Sequence, residues 1–267
     1  MKKIILASAL LSTCFSLQAH DIWIKADTHE INSDEQKVFS LDVSRSGQAY
    51  VAEANHKIKA LNMTSPSGQS KKITADYSGK TKEVFEVEFD ESGTYHFESP
   101  MTQVFLSFYF DEEGEEHKVR MPKTDYHTLP KGAKPEKTVE KQIVTETYVS
   151  YNGFSEVKQT SKDGLQIVLM QHPNKVRAGE PLSFKVTLNG QPIPEAEVTL
   201  KSMNEFYYQD SDKVEVDLTA KDKGEVTFKP THPGRYLLSV EYGVELKNNA
   251  KADFRSIEKF LTFEVTQ

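Results

Sequence analysis

Cysteine is almost absent from this 267-residue chain, Cys14 being the only one. That excludes a disulfide framework and a cysteine-based zinc site. An excess of basic residues is missing too: 33 Lys and Arg stand against 40 Asp and Glu, for a net charge of −7. Such a balance argues against binding nucleic-acid phosphates, which needs clustered cations. No apolar run reaches the roughly 20 residues of a membrane-spanning helix. The longest, from Ile4 to Leu17, is interrupted by Ser12, Thr13 and Ser16. There is no Gly-x-Ser-x-Gly elbow, no His-Glu-x-x-His and no glycine-rich phosphate loop, so the sequence is read as a non-enzyme.

What is present begins at the N-terminus. Met1-Lys2-Lys3, the apolar stretch and Leu17-Gln18-Ala19 have the layout of a secretory signal peptide over residues 1–19. Cleavage after Ala19 would remove Lys2, Lys3 and Cys14, leaving a thiol-free chain of net side-chain charge −9 that starts at His20. The alternative is lipid attachment at Cys14 within Leu11-Ser12-Thr13-Cys14, which Thr13 fits poorly.

Beyond that segment, strand patterns dominate. Phe85, Val87 and Phe89 alternate with Glu86 and Glu88, and Leu182, Phe184, Val186 and Leu188 alternate with polar residues. Val214, Val216 and Leu218 obey the same rule, as do Leu261, Phe263 and Val265. The run Val104 to Phe110 is almost continuously apolar and predicts a strand covered on both faces. Turn residues punctuate these runs. Asn189-Gly190 is the strongest hairpin signal, and Pro192 and Pro194 point to an edge or a longer loop beside it. The expected fold is all-β, with two Ig-like β-sandwich domains. The Pro- and charge-rich stretch from Leu129 to Glu140 reads as a linker. It divides the chain into an N-terminal domain over 20–128, a linker and connecting strand over 129–159, and a C-terminal domain over 160–267. The acidic run Asp111 to Glu116 reads as a solvated hairpin tip.

His20 is the candidate with the most chemistry. After cleavage, its α-amine and imidazole belong to one residue and can chelate one ion, and such nitrogens suit copper, nickel, cobalt or zinc. The other histidines show no i, i+4 pair, and each alone reads as a surface or hydrogen-bonded side chain; His96 is expected to face water.

Ala19-His20-Asp21-Ile22-Trp23-Ile24 resembles the start of a group of periplasmic proteins classed with the nickel/cobalt-uptake component, the NikM-like domain. Gln171-His172-Pro173-Asn174, Ala178-Gly179-Glu180-Pro181, Leu188 to Pro194 and Pro233-Gly234-Arg235-Tyr236 are similar to that group as well. The resemblance implies a periplasmic binding or delivery protein for a divalent transition metal, nickel or cobalt foremost, with His20, His56 and His172 as ligands. The implied partners are an outer-membrane receptor or an inner-membrane metal transporter. Two other readings remain open on the residues. One is a metal-independent envelope module that binds a receptor, peptide or glycan. The other is a copper enzyme with an N-terminal histidine brace, against which stand the missing cysteines and the lone Trp23.

Overall fold

The computed structural model describes residues 20–33, 35–157, 162–203 and 215–267. The expected signal peptide with Cys14, and Val214, lie outside the described residues. Among these there are twenty strands and two short 3-10 turns, and no helix is long and apolar enough to cross a membrane.

The strands form two four-stranded sheets and one of twelve strands. In the N-terminal half, Asp21–Ala26, Val38–Ser46, Lys82–Glu88 and Tyr77–Ser78 make one layer. It packs Ile24, Leu41, Val43, Phe85 and Val87 against Leu61, Tyr95 and Phe97 of the large sheet. In the C-terminal half, the layer built on Leu182–Leu188 packs Phe184 and Val186 against Leu200, Leu238, Leu261 and Phe263 of the large sheet. The alternation that predicts these strands matches their burial: Phe85 and Val87 are buried while Glu86 and Glu88 are exposed. The fold is an all-β sandwich architecture, as the sequence predicts.

Asn189 and Gly190 both take positive φ, 52° and 75°, and join Leu182–Leu188 to Gln191–Pro192 in a two-residue hairpin. Pro192 sits opposite Thr187, where its missing N–H is not needed by this ladder, and Ile193 N–H then donates to Val186 O at 3.0 Å.

Two expectations differ from the structure. The stretch 129–140 is loop only as far as Ala133; from there Lys134–Tyr151 is a single 18-residue strand. It pairs antiparallel with Thr102–Phe110 and Gly93–Glu98 of the N-terminal half, and parallel with Phe254–Thr266 of the C-terminal half. Its charged residues hide the strand from a composition test because they are paired: Glu140 accepts from Arg255 at 3.0 Å and Lys141 donates to Glu258 at 2.5 Å. The run Val104 to Phe110 is a strand, but only Ser107 and Phe108 are buried in it. Nothing covers its outer face fully, because Val104 and Leu106 line an open cleft.

Candidate functional site

That cleft encloses about 460 Å³. Its floor comes from Ile22 on the first strand, Ile143 on the long strand, and Val104 and Leu106. One wall is the hairpin of Thr102–Phe110 and Glu116–Val119; the other is formed by Asn55, His56 and Lys57 of the loop from Gly47 to Lys59.

The loop owes its shape to buried polar anchors. Arg45 and Ala54 exchange both backbone hydrogen bonds, at 3.0 and 3.1 Å. Asn55 Nδ2 donates to Gly79 O at 2.8 Å, and its Oδ1 accepts from Lys57 N at 2.6 Å. Glu83, fully buried, accepts from Lys59 N at 2.8 Å and from Ser78 Oγ at 3.1 Å. Tyr50, Lys57 and Lys59 all sit at positive φ, a conformation that L-residues hold only where the surroundings over-determine it. Trp23 roots the base: its Nε1 donates to Ser46 Oγ at 3.0 Å and its ring lies 5.6 Å from that of Tyr50.

His20 and His56 line this same cleft. His20 is exposed, with Nε2 3.6 Å from Glu53 Oε2. His56 is half-buried, and burial together with the Arg45 and Arg120 guanidiniums pushes its imidazole down to about 4. It is neutral at pH 7 and keeps a free lone pair.

His172 is not brought to them. Asn174, two residues on, donates to His29 O at 2.8 Å, and His29 lies just past the far end of the first strand, whose six residues span roughly 20 Å. The His172 Nδ1 accepts from Asn174 N at 3.2 Å, which leaves the ring proton on Nε2, facing Ser155 O at 3.1 Å. Thr94 Oγ1 lies 2.9 Å from the same nitrogen. Both ring nitrogens are engaged, so His172 caps the turn Pro173–Lys175 and joins the two halves. His29 is buried similarly, with Nδ1 donating to Tyr148 O at 2.9 Å.

Two other His-carboxylate groups meet metal-like spacing. In the first, His96 is buried, not in water, because its Nε2 lies 3.0 Å from Glu146 Oε2 and its ring stacks on Tyr148. Lys259 Nζ reaches Glu146 at 3.0 Å, Glu98 at 2.9 Å and Gln166 at 3.0 Å. The ammonium already serves as the cation there, and a metal ion does not fit beside it. In the second, on the hairpin tip, Asp111 spends Oδ2 on His117 at 2.5 Å and Oδ1 on Glu115 N at 2.8 Å. These are the contacts of a self-satisfied turn, in keeping with the solvated tip expected there.

The family model described as "Domain of unknown function (DUF4198)" matches residues 17–243. The chain belongs to the DUF4198 family. Apart from Glu258, the residues that line the cleft fall within the matched part. Among curated proteins, none matches this DUF4198 chain. Among solved structures, it is similar to the D0-D1 domain of intimin at 15% identity, covering 91% of this chain and 97% of that one with a TM-score of 0.21. It is also similar to trypsin-activated alpha-2-macroglobulin from Escherichia coli at 13% identity, covering 91% and 16%, with a TM-score of 0.23. Overlaps this weak carry no argument about the DUF4198 chain.

Sequence reasoning passes over the cations of the cleft: Arg45, Lys57, Lys118 and Arg120. A signal for the last two is present. Lys118 and Arg120 are two apart at the end of a strand, which sets them on one face. The overall acidity of the chain draws attention away from them.

Proposed function

We propose that this DUF4198 protein is a periplasmic binding protein that carries a divalent late transition metal, nickel or cobalt foremost, to an envelope transporter or receptor. The observation that carries the reading is that His20 and His56, 36 residues apart, line one cleft, with His56 held neutral. The processed His20 would supply its amine and imidazole and His56 a second imidazole, with Glu53 as the nearest carboxylate. Three nitrogens and one oxygen form a donor set for copper, nickel, cobalt or zinc, not for calcium or magnesium. The site is one for cargo, and no catalytic step is assigned to it.

The test is a thermal-shift and calorimetric titration of the secreted, correctly processed protein with nickel, cobalt, copper and zinc salts. At 100 times its Kd, a metal that binds only the folded state adds about 2.7 kcal/mol of stability. His20→Ala and His56→Ala should each remove the shift, whereas His172→Ala should lower the melting temperature and leave metal affinity intact. The absence of a shift with all four ions refutes the reading.

A further inference from the structure

The charge of the cleft points to a ligand beyond the metal. Arg45, Lys57, Lys118 and Arg120 line it, and among the described residues no carboxylate lies within ion-pair distance of any of the four. The fifth cation, Lys141, is held by Glu258 at 2.5 Å. Arg45 Nε is buried and has no hydrogen-bond partner. A buried donor left unpaired is costly, and native structures seldom leave one without a reason. Four unpaired cations in one concavity of an acidic chain make a local field of opposite sign to the molecule as a whole. Such a field attracts an anion.

The chemistry of the walls narrows the anion further. Guanidinium forks match carboxylates bidentately, and there are two of them. Ile22, Val104, Leu106 and Ile143 give an apolar floor that an inorganic oxyanion would not use but a carbon skeleton would. The volume, about 460 Å³, falls in the range of small-molecule sites. We propose that the cleft binds a small organic polycarboxylate, its carboxylates gripped by Arg45 and Arg120, its charge balanced by Lys57 and Lys118, and its skeleton laid on the apolar floor. This goes beyond the metal reading. If both hold, a metal ion seated by His20 and His56 adds to the attraction for the carboxylate.

Citrate is the probe, titrated into the full processed protein in resin-treated, metal-free buffer without any other chelating carboxylate. The expected result is saturable binding and a raised melting temperature, weakening at least tenfold between 50 and 500 mM sodium chloride. Arg45→Gln and Arg120→Gln should each weaken citrate at least tenfold, and Lys185→Gln on the distant face should not. Arg120 is exposed, so its variant reports even if the Arg45 variant fails to fold. No citrate binding overturns the proposal, as does citrate binding that Arg120→Gln leaves unchanged. Inorganic phosphate binding as tightly as citrate overturns the carboxylate assignment. Metal titrations without citrate and citrate titrations without metal are read separately, so the failure of one reading is told apart from failure of the other.

Discussion

The ammonium of Lys259, 1% exposed, lies between Glu98 and Glu146 inside the sheet that both halves share. Burial alone would raise the Glu146 carboxyl, but Lys259 and the His96 hydrogen bond outweigh it and hold the group at about 2. Its ordinary value is 4.5, so the folded state binds its proton more weakly than the unfolded chain does. The stability this supplies is complete above pH 4.5 and is lost as pH falls from 4.5 towards 2. Lys259→Met should therefore cost about 3–5 kcal/mol at pH 7, because it strands a buried carboxylate. The loss should shrink in urea melts at pH 3; a cost that is the same at both values contradicts the account. In the sequence, His96 and Glu146 look like ordinary solvated positions. The ladder that makes them neighbours sets His96 opposite Tyr148, 52 residues on, and period-2 alternation says nothing about which strand lies next to which. His20 and His56 can be singled out as candidates from the sequence, but that they share a cleft and that His172 does not comes only with the fold.

At the scale of elements, the turns carry the most readable information, since their chemistry is local. Asp222-Lys223-Gly224 is readable as a turn, and Gly224 closes it by donating its N–H to Lys221 O at 2.7 Å. What cannot be read is how closely another strand approaches. Gly224 O accepts from Val186 N at 2.8 Å, and a Cβ on Gly224 would run into the Val186 carbonyl. With φ at +69°, the position suits glycine twice over. Gly224→Ala should cost about 2 kcal/mol or more in a urea titration. A loss below about 0.5 kcal/mol would show that the hairpin tips away freely. The apolar run Val104 to Phe110 gives the converse lesson. Its composition shows that it must meet apolar matter, and half of that matter is a cleft floor, which a strand pattern cannot tell from a second core.

At the scale of the whole molecule, the long strand Lys134–Tyr151 decides how independent the two halves are. Side chains alternate across a strand, and here the alternation serves two cores: Tyr148 belongs to the C-terminal one, while Val149 and Tyr151 belong to the N-terminal one. A third cluster sets Trp23 and Tyr50 from one half against Leu237 and Phe260 from the other. Polar ties reinforce it, with Tyr50 donating to Tyr236 O at 2.6 Å, Lys201 to Asp21 at 2.9 Å and Thr262 to Ile24 O at 2.6 Å. Neither half therefore closes its core without a strand lent by the common sheet, and unfolding should be one cooperative event. Trp23, the sole tryptophan, stands at the junction of the halves and reports on it directly. In a urea titration, its fluorescence and far-ultraviolet dichroism should give coincident transitions. A fragment spanning 160–267, which lacks Tyr148 and the nine register pairs from Val139 to Thr147, should remain unfolded under conditions where the full chain is native. Two separated transitions, or a cooperatively folded 160–267 fragment, would mean that the shared sheet joins the halves without making either depend on the other.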